Sequence, residues 1–494
     1  MISEKLRKAR EYEQQYAPYV LPESRPAYHL TPMIGWMNDP NGFSCYKGEY
    51  HLFYQYHPYS VQWGPMHWGH AVSRDLIHWE YRPCAIAPDQ PYDNAGCFSG
   101  SAIELPDGRQ LLLYTGVRYQ TSEAGVRQEV QTQCVAIGDG LDYEKLDCNP
   151  VLDASDLPKG GSPFDFRDPK IWREADGTYA CIVGNRPADG SGSLLIYRSE
   201  DAIHWTFDTV LDECHNEFGK MWECPDFFPL DGKWVVLTSP QDMTPSGLEF
   251  HNGNGTLCLI GSYDEATHRF QREDMQSIDY GLDFYATQTL LAPDGRRIMV
   301  AWMQNWDTCV VVNREQRWYG QMCIPRELGV RDGKLIQNPV RELEAYRGRR
   351  VFHRVTICQE TTLQGVYGRV VDMTITLHPV ENDVYQSFKL KVARGSQHDT
   401  TITYKPRTSV LCVNRSNAGF RRDFVHERKC LVRRQNGEIK LRILLDRFSI
   451  EIFVNDGEQA LSTTIYTPLT ADGISFECFG QVQADVEKYD LEFD

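Results

Sequence analysis

Across 494 residues no apolar run approaches the ~18 that a membrane-crossing helix needs, so the sequence predicts no membrane partner. The opening stretch, MISEKLRKAREYEQQYAPYV, is charged throughout and lacks the apolar segment of a secretory signal. Cysteine is plentiful at fifteen, but no two stand in a C-x-x-C pair. An odd number scattered from Cys45 to Cys478 argues against a zinc ribbon, a thioredoxin-like motif or a disulfide framework. Reduced cysteines used as small core residues in a cytoplasm fit better. Positive charge is in short supply: 51 Lys and Arg against 68 Asp and Glu leave a net −17. That excludes a broad nucleic-acid or anionic-membrane surface and suits a neutral ligand, although one local basic pocket would escape such a count. The remaining composition, 41% hydrophobic and 24% charged, is that of an ordinary globular protein long enough for two or three domains.

What the chain does have is a repeat. The stretches NDPNGFSCYKGEYHLFYQ, FSGSAIELPDGRQLLLYT, RDPKIWREADGTYACIVG, ECPDFFPLDGKWVVLTS and YATQTLLAPDGRRIMVAW share one plan: a polar start, a short strand, a glycine turn and an apolar strand. Their turn glycines, Gly48, Gly108, Gly177, Gly232 and Gly295, lie 60, 69, 55 and 63 residues apart. Five hairpins at such spacing predict an all-β fold, a five-bladed propeller of about four strands per blade over residues 1–337. A second repeat, SRDLIHWEY at Ser73–Tyr81 and SEDAIHWTF at Ser199–Phe207, reads as blade packing. Residues 338–350, with Pro339 placed early, predict a short linker helix. From Val351 to the end, alternating strands and an Asn436-Gly437 turn predict a β-sandwich of structural purpose, which leaves self-association through it open.

Nine residues before each turn glycine stand Asp39, Ser99, Asp168, Glu223 and Ala286. In a radial fold these positions ring one axis, so three acids would face one another in a funnel. Turn capping could explain one such acid, but not three in matched register. Glycoside hydrolysis uses two carboxyl groups, one to protonate the leaving oxygen and one to meet the anomeric carbon; a separation of about 5–5.5 Å implies a covalent intermediate and retained configuration. Close carboxyls also push one another's proton affinities apart. Trp36, Trp63, Trp68, Phe98, Trp222 and Trp302 are expected to offer flat faces to sugar rings. Asp and Glu oxygens also suit Ca²⁺ or Mg²⁺, but no compact acidic loop surrounds any of the three, so neither metal nor cofactor is expected.

The blocks WMNDPNG (Trp36–Gly42), FRDP (Phe166–Pro169) and WECPD (Trp222–Asp226) resemble the signatures of glycoside hydrolase family 32, the invertases or β-fructofuranosidases. HLFYQYHP, WGPMHWGH, GCFSGS and, in the C-terminal part, LDRFSIEIFVNDG are similar to that family as well. The resemblance implies a five-bladed propeller followed by a β-sandwich. It also implies Asp39 as nucleophile, Glu223 as general acid and base, and Asp168 as transition-state stabiliser. Asn38, Gln55, Trp63, Phe98, Ser99, Arg167 and Trp302 match positions that line the fructose pocket, with Trp36, Tyr285 and Cys224 as wall or supporting residues. The implied substrate is a small neutral sugar, sucrose first and short fructo-oligosaccharides next. Sucrose 6-phosphate would need a basic group that the sequence does not locate, and fructosyl transfer would use the same three acids.

Overall fold

All five turn glycines adopt left-handed backbone, with φ of 80, 81, 93, 78 and 87° along the chain. A side chain resists that region and glycine does not, which is why the hairpins turn there. The computed structural model describes residues 2–122, 125–309, 316–380, 385–419 and 425–493. In it each hairpin supplies the first two strands of an antiparallel sheet. The first strands are Gly35–Tyr46, Gly96–Glu104, Phe166–Arg173, Trp222–Leu230 and Tyr285–Leu291. Each packs on the next, and the fifth returns against the first, so they form a closed inner ring. Buried polar side chains stitch the ring. Ser101 Oγ donates to the Pro169 carbonyl at 2.7 Å, Asp226 accepts from the backbone and hydroxyl of Thr289 at 2.8 Å each, and Gln288 bonds the backbone of Phe43 and Gly100. A late strand, Trp318–Tyr319, pairs in parallel with Gly35–Trp36 and ties the end of the ring to its beginning.

The repeated Ser-x-Asp-x-Ile-His-Trp segments are outer turns. Asp75 and Asp201 each accept from the backbone N–H groups two and three residues on, with Leu76 and Ala202 left-handed between them. Ahead of the ring lies a helix that the charged N-terminus did not suggest. Glu4–Tyr16 is capped by Ser3 and buries Leu6, Ala9 and Glu13, with Glu13 accepting from the Cys84 N–H at 3.0 Å. Among the described residues no helix is long and apolar enough to cross a membrane.

The expected linker helix is shorter than its sequence suggested. Asn338 and Pro339 finish the strand Lys334–Pro339, a 3₁₀ helix covers only Arg341–Tyr346, and a long strand already starts at Arg347. Pro339 therefore ends a strand rather than opening a helical turn. Beyond it a six-stranded and a five-stranded antiparallel sheet face each other across a shared apolar core. Asn436 and Gly437 are both left-handed, with φ of 51 and 87°, as a two-residue hairpin turn requires. Buried ions join this sandwich to the ring. Arg326 meets Asp279 at 3.0 Å and Glu451 at 2.7 Å, while His29 lies 2.7 Å from Asp446 and 3.0 Å from Glu451.

Candidate active site

Each inner strand breaks its pairing at one end of the ring. Register shifts fall between Met37 and Pro40, Phe98 and Gly100, Arg167 and Lys170, Glu223 and Asp226, and Tyr285 and Gln288. Such a bulge frees consecutive side chains from the strict in-and-out alternation of a strand. In three strands the released residue is left-handed without being glycine: Asp168 at φ 66°, Cys224 at 49° and Ala286 at 56°. Backbone of that kind costs energy and persists where the surroundings fix it.

The bulges also correct the nine-residue alignment. In the pairing, Glu223 is equivalent to Arg167 and Tyr285, and the equivalent of Asp168 is Cys224. The cause is turn length. Leu230 pairs directly with Lys233, leaving a two-residue turn, whereas three residues loop out at Gly177 and at Gly295. Counting from Gly232 therefore lands one residue early. The acid still reaches the funnel because both residues at a bulge are released toward it.

Asp39, Asp168 and Glu223 line one cavity of about 520 Å³. Asp39 accepts four contacts: Asn38 Nδ2 at 3.0 Å on one oxygen, and Ser99 Oγ at 2.6 Å, Gln55 Nε2 at 3.2 Å and Cys224 Sγ at 3.5 Å on the other. The same sulfur lies 3.7 Å from Asp168, which also accepts from the Cys224 backbone N–H at 2.9 Å. Glu223 is gripped by Arg167 through Nε at 3.0 Å and Nη2 at 2.9 Å, and the Tyr285 hydroxyl sits 2.6 Å from its other oxygen. Burial first, then the charge of Glu223 and less strongly that of Asp39, holds the Asp168 carboxyl above the ordinary range, with Arg167 opposing. Burial likewise keeps the Cys224 thiol and the Tyr285 phenol protonated.

Of the residues singled out in the sequence, Asn38, Gln55, Trp63, Phe98 and Arg167 line the cavity beside the three acids. Ser99, Cys224 and Tyr285 stand just behind, acting on the acids through the bonds above. The aromatic expectation needs correction. Trp68, Trp222 and Trp302 are fully buried, and Trp36 is nearly so, bonding Asn38 through its indole N–H at 2.8 Å. Trp222 is packed between two sheets and donates to the Phe218 carbonyl; Trp302 lies behind Trp306, ring centres 4.9 Å apart. Trp306 takes the place on the wall, while Trp63, 44% exposed, and Phe98 line the cavity as an edge-to-face pair. Sequence reasoning also missed Asp165, which bonds Arg167 at 2.8 Å, Gln131, which accepts from it at 3.3 Å, and Phe164 on the rim. Asp165 directly precedes the FRDP block, and only that adjacency could have flagged it.

Residues 29–339 match the family model for the glycosyl hydrolases family 32 N-terminal domain, and residues 342–491 that for the family 32 C-terminal region. The raffinose invertase of Escherichia coli is 37% identical over 463 residues, covering 89% of each chain. The sucrose-6-phosphate hydrolase of Escherichia coli is 36% identical over 447 residues, again 89% of each. A solved family 32 β-fructofuranosidase of Bombyx mori, a mutant in complex with sucrose, superposes with a TM-score of 0.84 at 34% identity over 98% of both chains.

Proposed function

Because the chain belongs to glycosyl hydrolase family 32, we propose that it releases terminal β-D-fructofuranosyl residues from sucrose, and from short fructo-oligosaccharides, with retention of configuration. The observation that carries this reading is the convergence of Asp39, Asp168 and Glu223 on one sugar-sized cavity. Asp39 attacks the anomeric C2 while Glu223 protonates the departing glycosidic oxygen, giving a fructosyl ester on Asp39 and a free sugar. Water then enters from the vacated side, Glu223 takes its proton, and the ester opens to fructose. Four donors holding Asp39 support its role as nucleophile, since an ionised carboxylate is an acceptor only. Arg167 and Tyr285 orient Glu223 and steady its charge when it acts as base. Asp168, fixed by the Cys224 N–H, binds fructosyl hydroxyls and balances the positive charge developing on the ring.

We read the five sheets of residues 1–337 as five blades, and the chain beyond the short connection at 338–350 as a sandwich that braces them. Exposed Phe352, Leu431 and Phe479 on the sandwich support a self-association surface. Unpaired, scattered cysteines support a cytoplasmic protein.

The assay is direct. Purified protein is incubated with sucrose, sucrose 6-phosphate, 1-kestose, inulin and levan, and released fructose and glucose are measured. Sucrose should yield both sugars in equal amounts; absence of release from every substrate would overturn the reading. An excess of glucose over fructose would instead reveal fructosyl transfer.

A further inference from the structure

The helix Glu4–Tyr16 lies ahead of residues 29–339, the span that the family model matches, yet it is bound into the first sheet. Its footing is the outermost strand of that sheet, Trp79–Ile86. A strand at a sheet edge leaves backbone groups without a neighbouring strand to pair with. Here helix side chains serve them: the Cys84 N–H donates to Glu13 at 3.0 Å, and the Cys84 carbonyl accepts from Arg10 Nε at 2.9 Å. Lys5 Nζ adds a bond of 2.6 Å to the Pro88 carbonyl, and Leu6 and Ala9 are buried beneath. The helix is thus fixed at both ends and in its middle, with Tyr12 half-buried on its flank.

The Tyr12 ring meets that of Tyr59 edge to face, centres 5.2 Å apart. Tyr59 stands near the start of the loop 58–66, which joins the strands Glu49–His57 and His67–Ser73 and brings Trp63 to the cavity wall. Hydrogen bonds secure the far end of this loop. The Pro65 carbonyl accepts from His67 Nδ1 at 3.0 Å and from His57 Nδ1 at 3.4 Å, and the Met66 carbonyl accepts from the Cys97 N–H at 2.9 Å. Ahead of Trp63 the hydrogen bonds among the described residues are two long ones between Ser60 and Gln62, at 3.3 and 3.4 Å. The near end rests on rings instead: Tyr59 also sits edge to face with His57 at 5.6 Å and with His67 at 5.7 Å. Burial lowers both imidazoles, His67 to about 3, so neither ring charges near neutral pH and the packing holds there.

Resting on the proposed hydrolysis, we infer that Tyr12 and Tyr59 are positioning residues for substrate binding: the N-terminal helix, braced on the outermost strand, holds through this ring contact the loop that presents Trp63 to the sugar. Neither tyrosine lines the cavity. Trp63 faces the sugar before and during bond cleavage alike, so its placement contributes binding common to both states, and loosening it raises KM while leaving kcat. The three acids keep their own bonds within the ring, with Asn38, Ser99, Arg167 and the Cys224 N–H, and none of these runs through the helix.

The experiment is steady-state kinetics on sucrose in Tyr12→Ala, Tyr12→Phe, Tyr59→Ala, Trp63→Ala and the double variant Tyr12→Ala with Trp63→Ala. Either alanine at the ring contact should raise KM by roughly twofold to tenfold, the worth of one edge-to-face pair, with kcat little changed. Tyr12→Phe keeps the ring and should behave as the wild type. In the Trp63→Ala background Tyr12→Ala should add nothing, since the residue it acts through is gone. Hydrogen exchange over residues 57–67, read by mass spectrometry, should quicken in Tyr12→Ala and not in Tyr12→Phe. Tyr59→Ala alters the loop side of the contact and leaves the helix intact, so it decides the matter if Tyr12→Ala detaches the helix. A helix that only stabilised the fold would lower the melting temperature and leave KM unchanged, or add its effect to that of Trp63→Ala; either result would overturn the inference, as would equal effects of Tyr12→Phe and Tyr12→Ala. Absence of sucrose turnover by the wild type would refute the hydrolase reading instead, and the exchange rates would still decide the positioning role.

Discussion

Asp39 is fixed in place by its contacts: two amides, a hydroxyl and a thiol converge on its two oxygens. Asp39→Asn keeps the size but removes the nucleophilic charge, so kcat on sucrose should fall by several powers of ten while the thermal midpoint barely changes. Near-normal turnover in that variant, measured as glucose release, would contradict the role given to Asp39. The three acids were legible in the sequence because the hairpin repeat marks where each inner strand begins. Their register was legible only in part. Glu223 was found by a count that is one residue out of step with the strand pairing, since turn length varies between two and three residues and glycine position does not report it. The bonding partners of Arg167 were also hidden: its guanidinium bonds Glu223 and Asp165. Tryptophans near the motifs proved mostly to be core, because a side chain that large is as useful between sheets as in a funnel.

The element that makes the site is the bulge at the head of each inner strand. It depends on close backbone approach, most tightly at Gly100, where an added Cβ would fall 2.0 Å from the Leu113 carbonyl oxygen and 2.6 Å from the Tyr114 Cα. Neither neighbour is the movable end of a side chain, so Gly100→Ala must push the strand Gly96–Glu104 away from Gln110–Thr121. Overpacking of this kind costs about 1–3 kcal/mol or more. Because Ser99 is the residue before, the shift should also withdraw its hydroxyl from Asp39. Both a lowered melting temperature and a lowered kcat/KM are expected; unaltered values of both would show that the bulge is not constrained as described. Hairpins and turn glycines were readable from sequence because φ near 80° selects glycine. Bulges were not, since Asp, Cys and Ala carry no signature of left-handed backbone. The N-terminal helix escaped because its buried face is only Leu6, Ala9 and Glu13.

At the scale of the whole molecule, ring and sandwich meet through buried ions rather than apolar surface alone. His29 lies between Asp446 and Glu451, which outweigh the cost of burial and raise its imidazole to about 9. A raised proton affinity in the folded state stabilises fully below the ordinary imidazole value of about 6.5 and is lost as pH rises through about 9. The Asp446 and Glu451 carboxyls are lowered, so they stay ionised across that window. The wild-type melting temperature should therefore fall between these pH values. In His29→Gln it should start lower, by the equivalent of about 3–5 kcal/mol for a broken buried pair, and change less with pH. Parallel pH curves for the two proteins would contradict the charged bridge. The sandwich itself was legible from alternation and the Asn436-Gly437 turn, but these ions were not, because His29 and Glu451 are more than 400 residues apart in the chain. The central claim, that a fructosyl ester forms on one acid while Glu223 moves the proton, is tested most directly in Glu223→Ala. Sucrose hydrolysis should drop by at least ~10²–10⁴-fold, because a sugar alkoxide must be protonated as it leaves. A nitrophenyl fructoside needs no such help, so it should give a burst of phenol followed by a slow steady rate that azide accelerates, with fructosyl azide of retained configuration as product. Equal loss of activity on both substrates, with no response to azide, would contradict the account.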